Sequence, residues 1–391
     1  MSKLEELIQR YCPDGVEYKK LENYLSYEQP TKYIVKSTKY DDNFPTPVLT
    51  AGQTFILGYT KETTGIFEAS KENPVIIFDD FTTSFHWVEF SFKVKSSAMK
   101  MLRPIDETKA SFRYLYYCMK SIKYVPGDHT RQWIGTYSQF EIPIPPMPVQ
   151  EEIVRILDSF TELQAELQAE LQKRKLQYNY YRDNLLSFSG RPDVKWMKLG
   201  DIATDWYRGA GIKRDEVSEI GMPCIRYGEI HTTYNIWFDK CISHTDETQQ
   251  PSKKYADYGD ILFAITSEDI PFVGNSVAYI GQARIMVGGD IVVMKHNQNP
   301  KYMSYALSTT DAVKQKGKGK VKSKVVHTSV PALQEIIIPV PSLAEQQEIV
   351  DILDRFDRLT NDLTTGLPAE IGKRQQQYEY YRDKLLTFKH I

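Results

Sequence analysis

The sequence predicts an α+β protein: two globular units of mixed helix and strand, separated and followed by long helices that pair as an antiparallel coiled coil. Three observations predict it. A long helical pattern occurs twice, over residues 149–188 and about 344–388, and the copies share QxEIVxILDxF at the start and QYxYYRDxLLxF at the end. The stretches before the copies differ but open alike, with VEYKKLENYL from Val16 and VKWMKLGDIA from Val194, and close on IPIPP at 142–146 and IPVP at 338–341. Within those stretches, periods of two and of about 3.6 residues alternate. Self-similarity at so long an interval marks a duplicated architectural unit.

The first unit runs from about Val16 to Pro145. PVLT at 47–50, TFILGY from Thr54 and VIIF at 75–78 read as strands. From Val88 to Lys95 the pattern alternates, with Val88, Phe90, Phe92 and Val94 apolar against Glu89, Ser91, Lys93 and Lys95, which predicts a half-buried strand. Phe112, Leu115, Tyr116, Met119 and Ile122 share a helical face and predict a helix over 110–123. The second unit, Val194 to Pro341, follows the same plan: GDILFAIT at 259–266 and GGDIVVMK at 288–295 read as buried strands, and a helical run from Lys301 to Val313 leads into a lysine-rich loop. Proline at the close of each unit favours an extended entry into the next helix.

In the first long helix, Ile153, Ile156, Phe160, Leu163, Leu167, Leu171, Tyr178, Tyr181, Leu185 and Phe188 form a stripe interrupted only by Arg174. About forty residues at 1.5 Å each give a rod of about 60 Å. Such a stripe needs another helix to bury it, and the other copy is the expected partner. Gly366 and Pro368 predict a break in that second copy. Leu163 to Leu171 reads LQAELQAEL, a repeat of four residues. One added repeat lengthens a helix by about 6 Å and turns it by about 40°. The turn is close to that of one base pair of B-DNA, whose rise is about 3.4 Å.

With 391 residues, 41 % of them apolar, the chain can fill about two or three cores. No stretch reaches the roughly 18 to 20 uncharged apolar residues of a membrane span. MSKLEELIQRYC, with Leu4, Leu7, Ile8 and Tyr11 on one helical face and charges throughout, is unlike a secretory signal, so a cytoplasmic location is expected. Cys12, Cys118, Cys224 and Cys241 stand far apart without a CxxC pair and signal neither a disulfide framework nor a zinc site. The net charge of −2 makes local basic patches the only route to DNA affinity.

Enzymatic signatures are missing. GKGKVKS at 317–323 lacks the spacing of a phosphate loop, and there is no HExxH and no Asn-Pro-Pro-aromatic methyltransferase motif. Asp79 and Asp80 followed by Glu89 and Lys93 resemble the constellation of a metal-dependent nuclease, but the Glu-to-Lys spacing is wrong for it. Paired acids at a strand end ordinarily make a turn. No catalytic or metal-binding residue is assigned.

DNA-binding candidates are basic and polar groups on the two units. Lys316, Lys318, Lys320 and Lys322, within an alternating run from Lys314 to Lys324, flank Gly317 and Gly319, where the backbone can approach a phosphate. GDHTRQW holds the comparable place in the first unit, where Arg131 and Gln132 have the chemistry for guanine and adenine. Lys93, Lys95, Ser96 and Lys100 form a second cluster, expected at phosphates, and Arg208, Arg214 and Arg226 are further candidates in the second unit. Tyr180, Tyr181 and Arg182, with Tyr380, Tyr381 and Arg382, have two readings, and a mixture is expected: coiled-coil core through Tyr181, Leu185, Tyr381 and Leu385 with local Arg182–Asp183 and Arg382–Asp383 ion pairs, or two near-identical outer surfaces for two copies of one protein partner. Three function classes follow: a DNA reader without catalysis, a self-sufficient DNA nuclease, and a coiled-coil scaffold.

Two unlike globular units, each followed by helices ending in YYRDxLLxF, with IPxP and EQQEIVDILDRF at the joins, resemble the specificity subunit of type I restriction-modification systems. The tetrapeptide repeat and GLPAEI make the chain most similar to the IC-type branch. The likeness spans essentially the whole chain. YEQPTKY, PVLTAGQTFILGYT and VIIFDDFTTSFHWVEFSFKVKSSAMKM carry it in the first unit, and TSE at 266–268 with IVVMKH carry it in the second. It implies a first target recognition domain at 1–146, a helical spacer at 147–190, a second recognition domain at 191–341 and a second helical region at 342–391. It further implies a subunit without catalysis or cofactor, in which each recognition domain reads half of a split double-stranded DNA site. The helices hold the halves apart and dock two modification subunits. Those partners carry S-adenosylmethionine and adenine methyl transfer, and restriction subunits add ATP- and Mg-dependent translocation and cleavage.

Overall fold

A computed structural model describes residues 2–52, 54–267, 273–317, 320–322, 325–362 and 365–391. Its elements mix helix and sheet, an α+β fold. The chain forms two compact units, Met1–Glu166 with Gly372–Ile391, and Leu167–Ile371. This partition crosses the four consecutive segments read from the sequence, since each unit takes part of both helical repeats.

The first unit opens with α1 (Lys3–Tyr11), started by a capping box in which the Ser2 hydroxyl accepts from the Glu5 N–H and the Glu5 carboxylate accepts from the Ser2 N–H. Then come β1 (Tyr18–Lys20), β2 (Leu25–Glu28), β3 (Thr46–Leu49), β4 (Ile56–Thr60), β5 (Val75–Asp79), β6 (Phe85–Val88), β7 (Lys93–Val94), β8 (Met99–Pro104), α2 (Phe112–Ser121) and β9 (Glu141–Pro143). β2-β8-β5-β6 make an antiparallel sheet, β4-β3-β7 a smaller one, and β1 pairs with β9. Val75, Ile76, Ile77 and Phe78 are all buried because β5 is central and covered on both faces.

The expected strand over 88–95 divides: Val88 ends β6, Phe90 is exposed, and Lys93–Val94 pairs in parallel with β3 in the other sheet. Its alternation is real at Val88, Phe92 and Val94 but spans two sheets.

The helix α3 (Met147–Leu185) follows. Its leucines, glutamines, glutamates and alanines are strong helix formers, and it runs unbroken as the stripe predicts. Between Leu157 and Tyr178 it buries no residue, so the tetrapeptide repeat is the least covered part of the helix. The division between the compact units falls inside that repeat.

The second unit continues with β10 (Lys195–Lys198), α4 (Leu199–Ile202), β11 (Ala203–Arg208), β12 (Val217–Ser218), β13 (Met222–Ile225), α5 (Tyr227–Thr232), β14 (Trp237–Phe238), β15 (Ser243–Thr245), β16 (Tyr255–Ala256), β17 (Ile261–Ala264), β18 (Thr266–Ser267), β19 (Ser276–Tyr279), β20 (Ile285–Val287) and β21 (Ile291–His296). The expected helical run is two helices, α6 (Pro300–Ser308) and α7 (Thr310–Lys316), divided at Thr309, which caps the second through its hydroxyl. β22 (Lys320–Lys322), β23 (Val325–His327), α8 (Val330–Gln334), β24 (Ile337–Val340) and α9 (Leu343–Asn361) complete the unit. Its sheets are β11-β21-β17-β19-β14, β12-β15-β13-β20-β16 and β18-β23-β22, with β10 paired to β24. The last helix, α10 (Leu367–Leu385), is separate from α9, as Gly366 and Pro368 predict.

One frame recurs in both units. The Tyr114 hydroxyl donates to the Pro143 carbonyl at 3.0 Å, and that of Tyr302 to Pro339 at 2.9 Å. Gln150 accepts from the Ser111 N–H at 2.9 Å and donates to the Pro145 carbonyl at 2.7 Å; Gln346 does the same with Asn299 at 3.0 Å and Pro341 at 2.9 Å. Tyr117 and Arg113 donate to Asp158 as Tyr305 and Lys301 donate to Asp354.

Each unit also packs helix on helix. In the first, Phe160 stacks on Tyr381 with ring centroids 5.6 Å apart and Gln164 donates to Gln375, so numbers rise on α3 as they fall on α10. In the second, Tyr181 stacks on Phe356 at 5.6 Å. The second unit joins α3 to β10 through continuous chain, whereas in the first the equivalent junction brings residues 388–391 against Val16 and Tyr18.

Candidate nucleic-acid interface

Each unit gathers loops at one end of its main sheet, and the registers make the two ends equivalent. Phe78 pairs with Lys100 between β5 and β8, and Phe263 with Val292 between β17 and β21. One step on, the Asp80 N–H donates to Ala98 at 2.9 Å and the Ile265 N–H to Asp290 at 3.0 Å. The Asp80 carbonyl then accepts from the Gln132 N–H at 2.7 Å, and that of Ile265 from the Thr328 N–H at 3.0 Å.

In the first unit this end is built around Asp80. Its carboxylate accepts the Trp133 N–H at 2.8 Å, lies 3.4 Å from the Lys100 amine and 3.8 Å from the Arg131 guanidinium. Asp80 and Lys100 are buried, and the Lys100 amine also sits over the Tyr27 ring at 4.6 Å. The Gln132 side chain accepts from the Tyr124 hydroxyl and donates to Asp128 and Thr130, drawing the loop together from inside. Phe81 stacks on His129 at 4.5 Å. Asp79 makes the expected turn, accepting the Phe81 and Thr82 N–H groups at 2.9 and 2.8 Å, while Thr83 takes a φ of 60°. Between the buried anchors Gln132 and Trp133 and the stacked His129, Arg131 is left 55 % exposed.

In the second unit the same end carries no such pair. Ile265 and Val292 stand where Asp80 and Lys100 do, and His327 where Arg131 does. Beside them opens a groove of about 990 Å³ lined by Arg208, Arg214, Arg226, Tyr227 and five glycines. Arg208 is held by Asp290 at 2.6 Å and Arg214 is exposed. Arg226 lies 3.8 Å from Glu229, with its buried Nε unbonded. Gly211 and Gly228 have open space where a Cβ would project, so backbone is presented to whatever enters.

Several expected contact residues are corrected. Lys93 is buried, its amine donating to the Thr64 and Gly65 carbonyls and paired with Glu62 at 3.2 Å, so it ties loops together instead of facing a phosphate. Lys100 and Gln132 are buried in the cluster just described. Lys316 is buried as well, donating to the Ser276 hydroxyl at 2.9 Å, and desolvation holds its amine down at about 7. Lys95 and Ser96 are exposed, as are Arg131, Arg208 and Arg214. Lys318 lies outside the described residues; Lys320 and Lys322 lie in β22.

Among the partner candidates, Tyr180 and Tyr380 are well exposed, and Tyr181 and Tyr381 are half-committed to the ring stacks above. Arg182 is corrected as a partner contact and takes the local reading: it is buried, bonded to Asp183 as the ion-pair alternative expects, and packed over Tyr178. Arg382 repeats that arrangement with Asp383 and Tyr378 and is largely covered.

Glu89 bonds the Trp87 indole, so the acids and Lys93 do not assemble into one cluster. Among the described residues no group of three or more His, Cys, Asp or Glu could hold a metal, and no helix is long and apolar enough to cross a membrane. Sequence reasoning missed Asp80 as a loop anchor, the Phe81–His129 stack and Tyr227. Only the adjacency of Asp80 to a strand end pointed toward the first.

Residues 13–174 and 192–373 match the family model described as the type I restriction modification DNA specificity domain. The chain belongs to that family. It is 43 % identical over 402 residues to the EcoR124I/EcoR124II specificity subunit of Escherichia coli, covering 99 % of this chain and 97 % of the relative. A putative type I specificity subunit of Haemophilus influenzae is 29 % identical, covering 95 % of this chain and 96 % of the relative. The fold of this specificity subunit resembles that of the S subunit from M. genitalium, with a TM-score of 0.52 at 14 % identity over 96 % of this chain and 97 % of that one. A chain solved in work on complex assembly and conformational transition of the type I system gives a TM-score of 0.57 at 15 % identity, over 96 % and 98 %.

Proposed function

We propose that this specificity subunit is a non-catalytic DNA reader whose two recognition domains each read one half of a bipartite, asymmetric site. The observation that carries the reading is the pairing of one frame with two chemistries: equivalent sheet ends present an anchored arginine loop in one unit and an arginine-lined groove in the other. Duplicated scaffolds with unlike tips suit two different half-sites joined by an unread gap. Exposed arginines supply both phosphate attraction and base-edge hydrogen bonds.

The helices form an antiparallel coiled coil that sets the gap, and the exposed Tyr180 and Tyr380 surfaces dock two modification subunits. Those subunits carry S-adenosylmethionine and adenine-N6 methyl transfer; restriction subunits add ATP- and Mg-dependent cleavage. The chain itself holds no cofactor, and the complex acts in the cytoplasm. The solvated repeat in α3 supports the ruler role, because a turn can be added or removed there without opening a core.

The test is methylation mapping with the modification subunits present. The chain alone is expected to transfer no methyl group, and the complex to methylate adenines in a split site. Deleting Leu167–Glu170 shortens the gap and leaves both half-sites intact; an unchanged gap rejects the ruler. Replacing residues 20–145 with another reader changes one half-site only.

A further inference from the structure

We propose that Arg131 reads a guanine in the half-site of the first unit and that Asp80, neutralised by Lys100, is the positioning residue that aims it. This inference rests on the DNA-reading role and names the contact that role uses. A guanidinium presents a planar fork matching O6 and N7 on the major-groove edge of guanine. That fork discriminates only when its orientation is fixed before the base arrives, since a freely rotating arginine contacts phosphate and base alike.

Here the fixing groups are on one residue. Asp80 lies 3.8 Å from the Arg131 guanidinium and binds the backbone two residues on through the Trp133 N–H at 2.8 Å. Its carbonyl holds the intervening Gln132 N–H at 2.7 Å. Three contacts thus converge on the loop from one residue at the end of β5.

Lys100 explains why the carboxylate can sit there. Asp80 and Lys100 are 2 % and 1 % exposed at the side chain, and a buried pair of this kind is seldom a better stabiliser than an apolar pair of the same volume. The second unit makes the comparison internally, with Ile265 and Val292 at the equivalent places. The frame therefore folds with an apolar pair, and the ion pair in the first unit serves the loop instead.

The experiment uses the full complex with modification subunits and measures methylation across duplexes in which each base pair of the site is varied. Arg131→Ala is expected to lose about ten- to a hundredfold discrimination at one G·C pair of one half-site. Arg131→Lys keeps the charge but not the fork, so it relaxes the same pair with smaller loss of binding.

Asp80→Ile combined with Lys100→Val installs the pair of the second unit, which avoids a lone buried charge. It is expected to assemble and to relax discrimination at that same pair, with the other half-site read as before. Normal discrimination in this double variant overturns the positioning role. Normal discrimination in Arg131→Ala overturns the whole proposal. Relaxation at every position of the half-site equally also overturns it, since that is the mark of a collapsed domain. Failure of the DNA-reading role itself is separate: the wild-type complex then shows no split site at all.

Discussion

The two compact units share their skeleton and differ at its tip. The tyrosine, glutamine and aspartate contacts that lock α2 to β9 and α3 recur between α6, β24 and α9, whereas the residues at the loop-bearing end of the sheet do not. Positions that hold the fold are filled alike in both units, and positions at the loop-bearing end of the sheet are not. An ion pair in one and an apolar pair in the other show that the divergence extends one layer below the surface, to the residues beneath the loops.

The harshest way to break this comparison is to remove one member of the buried ion pair. Lys100→Met removes the nearer cation of a buried carboxylate, leaving only the half-exposed Arg131 at 3.8 Å, and should cost up to about 3–5 kcal/mol in unfolding measurements. The paired change Asp80→Ile with Lys100→Val should recover only part of that loss, because the frame accepts the apolar pair but the buried Trp133 N–H loses its acceptor, at about 1–3 kcal/mol.

A second difference concerns Lys316, buried beside Ser276 and 6.0 Å from the Phe263 ring centroid. Its folded pKa is about 7 against an ordinary 10.5, so between those values the unfolded chain binds the extra proton and stability rises with pH. The slope from this group approaches about 1.4 kcal/mol per pH unit. Lys316→Met removes it. Denaturation of both proteins at pH 7, 8 and 9 should show the variant's advantage shrinking at each step, and a constant difference would mean that the amine is hydrated.

The shared frame can be sharpened by equal damage. Tyr117→Phe and Tyr305→Phe each delete a hydroxyl donating to a carboxylate that keeps a second partner, Arg113 or Lys301. Each should cost about 1–2 kcal/mol. Similar losses in the two variants support one frame used twice; a loss confined to one unit would show that the likeness is only geometric.

What the sequence made legible was periodicity. The stripe of α3, the break at Gly366 and Pro368 and the duplication of units all follow from spacing, which side chains cannot disguise. Of the expected DNA contacts, Lys95, Ser96, Arg131, Arg208 and Arg214 are on the surface. Lys93, Lys100 and Lys316 looked like surface charge, but a four-carbon stem lets an amine reach inward to carbonyls, a carboxylate or a hydroxyl. Residue type does not reveal that choice. The alternation from Val88 to Val94 misled for a related reason: period two continues across the switch from one sheet to the other, although the hydrogen-bonding partner has changed.

The smallest expected effect tests an asymmetry away from the loop-bearing end of the sheets. In the first unit Glu152, 3 % exposed, is bonded by Arg155 and by Lys3 of α1 at 2.8 Å. The matching Glu348 of α9 is exposed and, among the described residues, makes no ion pair. The hydrogen bonds from Arg155 and Lys3 hold the Glu152 carboxyl down at about 2 against an ordinary 4.5. Its contribution is therefore complete above 4.5 and is lost as pH falls toward 2. Both cations are exposed, which limits the contribution to about 1 kcal/mol. Glu152→Gln should lower stability by that amount at pH 7 and by nothing near pH 2, whereas Glu348→Gln should stay within about 0.5 kcal/mol throughout. Equal effects at the two positions would mean that the contact from α1 adds nothing, and that the first unit's extra helix is held by Leu4 and its apolar neighbours alone.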